Sequence, residues 1–514
     1  MPTFHHRPDL LPDWDGHRLR LSGSPGSALD IAIDGCRFIH LVVDQTSLAD
    51  LALPFSPSGN ACMELTVSVT SGSDEPIDVA FAIEIGRPGL SEAVAELRNL
   101  RPLGTPERLV ASDAKPMQGE VVIIVPVYNA PEDVARCLDS VLAHSTGPSR
   151  LIVIDDASTD AKITPLLERY RGINGVEILA NPKNLGFTAT VNRGIALAGE
   201  ANVVLLNADT EVAAHWLTGL RRALYSSDDI ATVTAVSDNA GAFSVPELEQ
   251  ENPLPPAWSF AQTALAVWQE AGLAYPQLPT GNGFCMLIRR AVIKAIGALD
   301  VEAFPQGYGE ENDFCQRACA AGYRHLIAGN VLVRHARSRS FGHERRKALG
   351  AIGMQVLRER WPRYEADVGA SLFSFERRVL DWRVRRIYAD APNHAPMPRA
   401  LCFGFDGELA LASGYDRLML IASKSGLALS RPDHEPLEVT AAPDATEVAY
   451  WLQRYAIDLV AVHESGERRA AAILNSASQR LGVPLVFTSE RAGPSIDTCR
   501  AQIMHQRSFV GSKR

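Results

Sequence analysis

The chain has 514 residues, more than one hydrophobic core normally serves, so we expect two or three domains. With 46% hydrophobic and 21% charged residues it has the composition of a globular protein, and a formal net charge of −10 argues against a nucleic-acid-binding chain. No apolar stretch approaches the ~20 residues of a membrane-spanning helix, and the first residues lack the apolar core of a signal peptide.

The first hundred residues predict an all-β domain. Short alternating apolar runs, such as residues 28–33 and 65–69, are separated by turn signals such as Ser24-Pro25-Gly26. This pattern is typical of a small β-sandwich, here assigned to residues 1–100. A polar linker with several prolines follows at residues 101–118.

From residue 119 to 345 the pattern changes to alternating strands and helices. Continuous apolar runs at 121–127, 151–154, 176–179 and 203–206 are separated by helical segments near 131–143, 162–171 and 188–198. Apolar strands joined by helices predict an α/β domain with a mostly parallel sheet. Ligands of such sheets bind at the carboxyl ends of the strands, where the chain has Tyr128, Asn129, Asp155, Asp156, Asn207 and Asp209.

Residues 346–390 predict a helical extension rich in arginine. Between residues 337 and 386 there are 13 Arg or Lys against 6 Asp or Glu, in an acidic chain. This charge indicates either a solvated helix face or a patch that contacts an anionic membrane or a phosphate-bearing acceptor.

The last part of the chain predicts a second, smaller α/β domain at residues 396–495. Strands at 400–405, 417–421, 437–440, 457–462 and 484–487 alternate with helices near 445–455 and 468–480. The segment contains no Walker loop and no G-x-G-x-x-G motif. Residues 496–514 are expected to form a loose tail.

Three acidic or imidazole groups in the central segment point to chemistry. Asp209 ends an apolar strand, a carboxylate cluster of Glu310, Glu311 and Asp313 opens a helix, and His335 follows a further strand. These groups are suited to a metal-assisted transfer from a nucleotide-activated donor.

Seven motifs in order resemble the family 2 glycosyltransferases of the GT-A fold, inverting enzymes that use nucleotide-sugar donors. They are Val125-Pro126-Val127-Tyr128-Asn129, Ile154-Asp155-Asp156-Ala157-Ser158-Thr159-Asp160, Asn184-Leu185-Gly186-Phe187, Asn207-Ala208-Asp209, Thr280-Gly281-Asn282-Gly283-Phe284-Cys285, Gly309-Glu310-Glu311-Asn312-Asp313-Phe314-Cys315, and His335 with Ser340-Phe341-Gly342. The resemblance covers about residues 120–345. It implies a Rossmann-like GT-A catalytic domain between the two flanking domains.

The resemblance also implies roles for individual residues. Glu311 is expected to be the catalytic base, with Glu310 beside it as the alternative, and Asp209 and His335 are expected to bind Mn²⁺ or Mg²⁺. The nucleotide-sugar is expected to contact Pro126, Tyr128, Asn129, Asp156, Asn184, Asn207 and Asp209. Donor or acceptor sugars are expected to contact Asn239, Gly283 and Asp313, with Gly281 allowing close approach of the backbone.

Two of these assignments have alternatives, and a third residue departs from the family's pattern. Asp156 can instead cap a helix, and the carboxylates at 310–313 can simply favour the positive end of the helix that they begin. Asn207 stands where the family commonly has Asp, which lowers the charge at the metal site.

The sequence therefore predicts an inverting hexosyl- or deoxyhexosyl-transferase of cell-surface polysaccharide or glycoconjugate assembly. The donor would be a UDP- or dTDP-sugar, the acceptor a glycan or a lipid-linked or protein-linked sugar, and no nucleic acid would bind. Eight scattered cysteines without a Cys-x-x-Cys pair fit a cytoplasmic protein, which could contact the inner face of the plasma membrane. The alternatives are a non-catalytic scaffold on a degenerate transferase fold, a sugar nucleotidyltransferase, and a C-terminal domain that itself binds nucleotide.

Overall fold

The computed structural model describes residues 11–14, 18–22, 25–33, 36–43, 48–52, 62–70, 77–84, 91–92, 119–145, 147–272, 275–336, 343–393, 395–405, 415–423, 426–431, 436–463 and 466–488. The chain divides into two compact units. One comprises Met1–Glu107 with Phe373–Pro392, and the other Arg108–Leu372 with Asn393–Arg514. The expected linker at 101–118, the Ser340-Phe341-Gly342 motif and the expected tail at 496–514 lie outside the described residues.

The first unit contains two antiparallel sheets. Its strands are β1 (Leu11–Trp14), β2 (Arg18–Ser22), β3 (Ala28–Ile33), β4 (Cys36–Val42), β5 (Leu48–Ala52), β6 (Cys62–Thr70), β7 (Ile77–Glu84) and β8 (Ser91–Glu92). The sheet orders are β1-β2-β5 and β4-β3-β6-β7-β8. Leu19 and Leu21 of the smaller sheet share one buried cluster with Leu29, Ile31 and Val67 of the larger sheet. Two sheets that enclose one core form a small β-sandwich.

An eight-stranded sheet organises the central domain, residues 119–336. Its strands are β9 (Val121–Val127), β10 (Ser149–Asp155), β11 (Val176–Ala180), β12 (Asn202–Leu206), β13 (Thr210–Glu211), β14 (Ile230–Ser237), β15 (Cys285–Ile288) and β16 (Arg324–His335). They are ordered β11-β10-β9-β12-β15-β14-β16-β13. Strands β9 to β12 are parallel to one another, and β14 is parallel to β16. Strand β13 pairs antiparallel with β16, and β15 pairs antiparallel with both β12 and β14. The predicted α/β class with a mostly parallel sheet is confirmed.

Seven helices accompany this sheet in the described part of the central domain: α1 (Pro131–His144), α2 (Ile163–Glu168), α3 (Phe187–Leu197), α4 (Trp216–Leu224), α5 (Phe260–Glu270), α6 (Arg290–Ile296) and α7 (Glu310–Ala320). Helix α3 buries Val191 and Ile195 against the sheet, beside Ile124 of β9. A Cβ added at Gly194 would lie 2.6 Å from the Ile124 Cγ2 atom, so glycine is needed for this close packing.

The strands deliver polar residues to one edge of the sheet. Val127 is the partner of Asp155, so β9 and β10 end together, and the Asp156 N–H donates to the Val127 carbonyl oxygen over 2.8 Å. The neighbouring strand β12 runs parallel to β9 and leads into Asn207. The residues that follow these strands therefore share the carboxyl edge, where ligands of parallel sheets bind.

Helices α8 (His343–Arg360), α9 (Tyr364–Leu372) and α10 (Phe375–Asp390) follow the central domain. The expected extension at 346–390 is divided between the two units at Phe373. The cause is Trp382 of α10, which is buried in the core of the β-sandwich and donates from Nε1 to the Ile33 carbonyl oxygen over 3.4 Å. Helix α10 thus completes the first unit.

The arginines of α10 have structural partners. Arg377 is buried and pairs with Asp381 over 3.0 Å, and Arg378 donates to the Phe373 carbonyl oxygen. Arg385 donates to the Arg37 carbonyl oxygen, and the Arg386 guanidinium lies 4.8 Å from the centre of the Trp382 ring. These contacts account for much of the positive charge of α10 by packing, and a membrane contact stays a prediction.

The small C-terminal domain has a six-stranded sheet with two helices. The elements are β17 (Arg399–Phe403), β18 (Asp416–Ser423), β19 (Gly426–Ser430), β20 (Pro436–Thr440), α11 (Ala445–Arg454), β21 (Leu459–His463), α12 (Arg468–Leu481) and β22 (Leu485–Thr488), with the strand order β20-β19-β18-β17-β21-β22. Strand β19, which the sequence pattern did not predict, forms a hairpin with β18. Within the second unit, Arg222 of α4 donates to the Leu481 carbonyl oxygen over 3.0 Å. Among the described helices, none is long and apolar enough to cross a membrane.

Candidate active site

Asp209 and His335 lie side by side at the edge of the eight-stranded sheet. Strand β13 pairs with the end of β16 so that Thr210 lies opposite His335, which brings the preceding residue, Asp209, next to the imidazole. The His335 Nε2 atom lies 3.3 Å from Asp209 Oδ1, and the side chains are only 11% and 16% exposed. The structure therefore brings together the two residues predicted as metal ligands.

Three contacts fix the orientation of the His335 ring. Its Nδ1 atom lies 3.0 Å from the Asn239 carbonyl oxygen, which can only accept, so Nδ1 carries a proton. The His335 backbone N–H donates to Asp238 Oδ1 over 2.9 Å, and the ring stacks on Phe284 with centroids 5.3 Å apart. Nε2, the ring nitrogen left to bind a metal ion, therefore faces Asp209. This is how a metal-binding histidine is usually oriented.

The donor set fits an ion that is shared between protein and substrate. In the described part of the chain, no group of three or more His, Cys, Asp or Glu side chains could hold a metal. One carboxylate and one imidazole leave several positions open on a six-coordinate ion. Mg²⁺ is commonly held in this way, by one or two protein ligands together with phosphate oxygens and water.

Asn207 closes the turn that carries Asp209. Its backbone N–H donates to the Phe284 carbonyl oxygen over 2.9 Å, and its own carbonyl oxygen accepts from the Thr210 hydroxyl over 2.7 Å. The Cys137 thiol lies 3.5 Å from the same carbonyl oxygen, and burial raises its pKa to about 12. Cys137 is therefore an uncharged group that supports the turn by contacting the Asn207 carbonyl oxygen.

Glu310 and Glu311 form a hydrogen-bonded carboxyl pair at the start of α7. Burial, followed by the charge of Glu311, raises the pKa of Glu310 well above its usual range. Burial also raises the pKa of Glu311, but hydrogen bonds from Glu310 and from the Gly283 and Gly309 backbone lower it in part. Of the two carboxyl groups, Glu310 has the more strongly raised pKa. Among the described residues, no hydrogen-bond partner contacts Glu311 Oε2.

Two consecutive residues connect the carboxyl pair to the Asp209–His335 pair. The Gly283 backbone hydrogen-bonds with the Glu311 carboxylate. The next residue, Phe284, stacks on His335 and accepts from the Asn207 N–H. Both pairs therefore border the same short segment, as one reaction site requires.

The loop after β10 is held by Asn129. The Asn129 Oδ1 atom accepts from the backbone N–H groups of Thr159 (2.8 Å) and Asp160 (2.9 Å), and the Asn129 N–H donates to the Ser158 hydroxyl. Asn129 has a positive φ of 59°, a conformation that Asn tolerates better than most residues. Its side chain thus supports the edge, and the neighbouring Pro126 and Tyr128 are half-buried there.

Asp156 supports the loop that precedes α3. It is 5% exposed, and its Oδ1 accepts from Asn181 Nδ2 (2.7 Å) and the Leu185 N–H (2.8 Å). Its Oδ2 accepts from the Gly186 N–H over 2.9 Å. A carboxylate has about four acceptor positions, so one remains for a nucleobase N–H, and that contact stays a prediction. Asn184, also predicted to contact the donor, is exposed on this loop.

Residues 122–297 match the family model described as Glycosyl transferase family 2. This segment is a family 2 glycosyltransferase domain. The match ends before Glu310, Glu311 and His335, whose placement comes from the structure. The sheet and the family together confirm the predicted GT-A fold class, and the central domain is called the transferase domain below.

Several curated proteins are similar to this chain. The N-acetylglucosaminyl-diphospho-decaprenol L-rhamnosyltransferase of Mycobacterium tuberculosis is 26% identical over 45% of this chain and 80% of its own length. The succinoglycan biosynthesis protein ExoU of Rhizobium meliloti is 26% identical over 66% of this chain and 97% of its own length. The match to the Escherichia coli glycosyltransferase YibD, at 32% identity, spans only 26% of that protein.

Among solved structures, the chain is similar to the mannosyltransferase PcManGT from Pyrobaculum calidifontis in complex with GDP-Man and Mn²⁺. The similarity has a TM-score of 0.36 and 17% identity, and it covers 55% of this chain and 79% of that one.

The structure corrects the expectation that Asp313 contacts a sugar. Asp313 is fully buried in the transferase domain, and both of its oxygens are occupied. Oδ2 accepts from Arg317 Nε over 2.8 Å, and Oδ1 accepts from Arg360 Nη1 (3.2 Å) and Trp361 Nε1 (3.1 Å). A carboxylate that is enclosed by three donors has a structural role.

Two further expectations change in detail. A Cβ added at Gly281 would lie 2.3 Å from the Met286 Sδ atom, so packing inside the protein already requires glycine here, and close approach of a sugar stays a prediction. Asn239 contributes its carbonyl oxygen to orient His335, whereas contact of its side chain with a sugar stays a prediction. Three supporting residues were not predicted from the sequence, because none belongs to a recognisable motif: Cys137, Asn181 and Trp361.

Proposed function

We propose that this chain is an inverting glycosyltransferase that moves a sugar from a nucleotide-sugar donor to an acceptor hydroxyl. The observation that carries the proposal is that two different acidic sites border the same segment, Gly283 and Phe284. One site pairs a carboxylate with an imidazole, and the other pairs two neighbouring carboxyl groups whose pKa values are both raised by burial. The first suits a cation and the second suits a proton transfer.

Glu311 is proposed as the base. It accepts the proton of the acceptor hydroxyl while that oxygen forms a bond to the anomeric carbon, and the bond from that carbon to the donor phosphate oxygen breaks. The nucleoside diphosphate leaves with the electron pair of the broken bond. A single displacement with one base inverts the anomeric configuration. The raised pKa of Glu311 makes it a stronger proton acceptor than an ordinary carboxylate.

Glu310 is proposed to support the base without exchanging a proton with the substrate. It is buried, and its Oε2 already accepts from the Gly309 N–H over 3.0 Å. Burial raises its pKa well above the usual range, and in its protonated form it would donate a hydrogen bond to Glu311 and add no second charge at the site.

Asp209 and His335 would hold a divalent ion, Mn²⁺ or Mg²⁺, at the turn that Asn207 closes. Such an ion neutralises charge on the diphosphate as it leaves. Tyr128 and Asp156, at the ends of neighbouring parallel strands, are proposed to face the nucleobase. The half-exposed Asn207 is proposed to face the ribose.

The names of the relatives guide the choice of substrates. One relative is named for transfer of L-rhamnose, a deoxyhexose, to a diphospho-decaprenol-linked sugar, and another for succinoglycan biosynthesis. We propose a UDP- or dTDP-activated hexose or deoxyhexose as donor and a lipid-linked or glycan hydroxyl as acceptor. The reaction would serve cell-surface polysaccharide or glycoconjugate assembly at the cytoplasmic side.

A donor screen tests this function. Purified full-length protein is incubated with a panel of UDP-, dTDP- and GDP-sugars and Mn²⁺ or Mg²⁺, and release of nucleoside diphosphate is measured before and after addition of chelator. The screen is repeated with Glu311→Gln and with the control Glu302→Gln, an exposed residue that precedes the same helix. We expect metal-dependent release from one donor, retained by Glu302→Gln and reduced about 10²–10⁴-fold by Glu311→Gln.

The other outcomes separate the alternatives. Donor binding without release of nucleoside diphosphate supports the transferase if release begins when lipid-linked or glycan acceptors are added. Absence of both release and nucleotide binding for every donor contradicts the proposal and favours a non-catalytic scaffold. Equal release by wild type and Glu311→Gln would move the base to another residue.

A further inference from the structure

We propose that helices α8 and α9 hold the first turn of α7 in place, and that Thr280, Trp361 and Tyr364 are positioning residues for Glu311. The inference rests on the proposed function for its catalytic consequence. It concerns residues that lie beyond the segment matched by the family model, apart from Thr280.

Helix α8 packs directly on the backbone that leads into α7. A Cβ added at Gly353 would lie 1.7 Å from the Tyr308 carbonyl oxygen, so only glycine allows this approach. Tyr308 has a positive φ of 68° and is followed by Gly309, the residue that precedes the helix. The entry into α7 is therefore shaped by contact with α8.

One side of the first turn of α7 is held at Asp313. Arg360 is the last residue of α8 and Trp361 follows it. The Trp361 indole N–H donates to Asp313 Oδ1 over 3.1 Å, and the Arg360 guanidinium donates to the same oxygen over 3.2 Å. Arg360 also pairs with Asp300 over 2.9 Å. Removal of a donor from a buried carboxylate weakens its fixation, so these contacts restrain the backbone two residues after Glu311.

The other side of the turn is held at Asn312. The Thr280 hydroxyl donates to Asn312 Oδ1 over 2.8 Å, and the Tyr364 hydroxyl hydrogen-bonds with Thr280. Thr280 and Tyr364 are both buried, and burial raises the pKa of Tyr364 so that its hydroxyl stays protonated. Tyr364, Thr280 and Asn312 therefore form one chain of hydrogen-bonded side chains.

Glu311 depends on this fixation more than a carboxylate with a full set of donors would. Its Oε2 has no hydrogen-bond partner among the described residues. The direction of that oxygen is set by the backbone of residues 309–313 and by the bonds from Gly283 and Glu310 to the carboxylate. Since both residues after Glu311 are held from α8 and α9, loosening these contacts should misplace the base.

The test uses variants that each remove a single polar group, and Thr280→Val and Tyr364→Phe also keep the side-chain volume nearly unchanged. Thr280→Val and Tyr364→Phe each break the relay to Asn312, Trp361→Phe removes the indole donor to Asp313, and Thr280→Ser restores the hydroxyl. The matched control is Tyr170→Phe, which removes the hydroxyl of another buried tyrosine. That hydroxyl donates to Asp139 Oδ1 of α1 over 2.8 Å, away from α7.

Two readouts are combined on the full-length protein. Hydrogen exchange measured by mass spectrometry reports whether the backbone amides of residues 305–313 exchange faster. This readout does not require that the protein turns over a donor. Steady-state kinetics with the donor found in the screen reports kcat and KM separately. We expect Thr280→Val and Tyr364→Phe to increase exchange at 305–313 and to lower kcat about tenfold, with KM for the donor unchanged. Thr280→Ser and Tyr170→Phe should behave like wild type.

The outcomes distinguish this inference from the proposed function. Unchanged exchange in Thr280→Val and Tyr364→Phe overturns the fixation of α7. Increased exchange with unchanged kcat overturns the positioning role and leaves only a local structural contact. If the wild type turns over no donor, the proposed function and the positioning role fail, while the exchange data still decide whether α8 and α9 hold the turn.

Discussion

The Asp209–His335 pair and the Glu310–Glu311 pair present the same functional group, a carboxylate, but they are built from different elements. Asp209 is placed by the antiparallel pairing of β13 with β16, beside an imidazole whose far nitrogen, Nδ1, contacts the Asn239 carbonyl oxygen. Glu311 is placed by a helix start, beside a second carboxyl group in a buried environment. The comparison shows that the surroundings decide what a carboxylate can bind, because the first one suits a cation and the second one suits a proton.

The largest expected difference between the two sites appears when each carboxylate is neutralised in turn. Glu311→Gln should lower kcat about 10³-fold with no change in the Mn²⁺ concentration that gives half-maximal rate. Asp209→Asn should raise that concentration roughly 10–100-fold, because the ion loses a charged ligand, and its rate should recover in part at high Mn²⁺. Rates measured across a Mn²⁺ titration give both the maximal rate and the Mn²⁺ concentration for half-maximal rate of each variant. Identical titration midpoints for Asp209→Asn and wild type would contradict the metal role.

The pH dependence should sharpen the assignment within the carboxyl pair. A base works only when deprotonated, and burial raises the pKa of Glu311, so kcat/KM should fall on the acid side at a higher pH than for an ordinary Glu. Glu310→Leu removes the hydrogen bond that lowers this pKa, so the acid limb should move to still higher pH. Glu310→Gln keeps a donor and should move it less. An acid limb that stays in place in Glu310→Leu would show that Glu310 does not act on the base.

The smallest expected effect is on stability. The pKa of Glu310 is raised in the folded state, so its contribution is fully present below the unfolded pKa and is lost as pH rises through the folded pKa. Glu310→Gln removes this loss and should raise the unfolding temperature by about 2–4 °C at pH 8, with a smaller change at pH 5. Thermal unfolding at both pH values, with Glu302→Gln as control, measures this. A gain that is equal at both pH values would argue against a buried ionisable group.

The sequence predicted the strands well because each is a continuous apolar run that ends at a polar residue. Residues 121–127 match β9, and the turn before Asp209 was identified from the run that became β12. The pairing of Asp209 with His335 followed from separate motifs that the fold brings together. The order and spacing of such motifs therefore predict where their residues lie in the fold, which composition alone does not.

The sequence did not reveal which carboxylates face the site. Asp313 follows Glu311 by two residues, which on a helix at about 100° per residue places the side chains on nearly opposite faces. Asp313 accordingly points to Arg317, Arg360 and Trp361. The return of α10 to the first unit was equally hidden, because its basic residues suggested a surface whereas Trp382 is buried against strands more than 300 residues earlier in the chain.

That return has a consequence for biosynthesis. Strand β8 ends at Glu92, and Trp382 follows 290 residues later, so the sandwich lacks its closing helix while the whole transferase domain is being made. At roughly 5–20 residues per second, the ribosome needs about 15–60 s to add that length. For this time, the apolar residues that Trp382 covers in the folded protein are made but their covering helix is not.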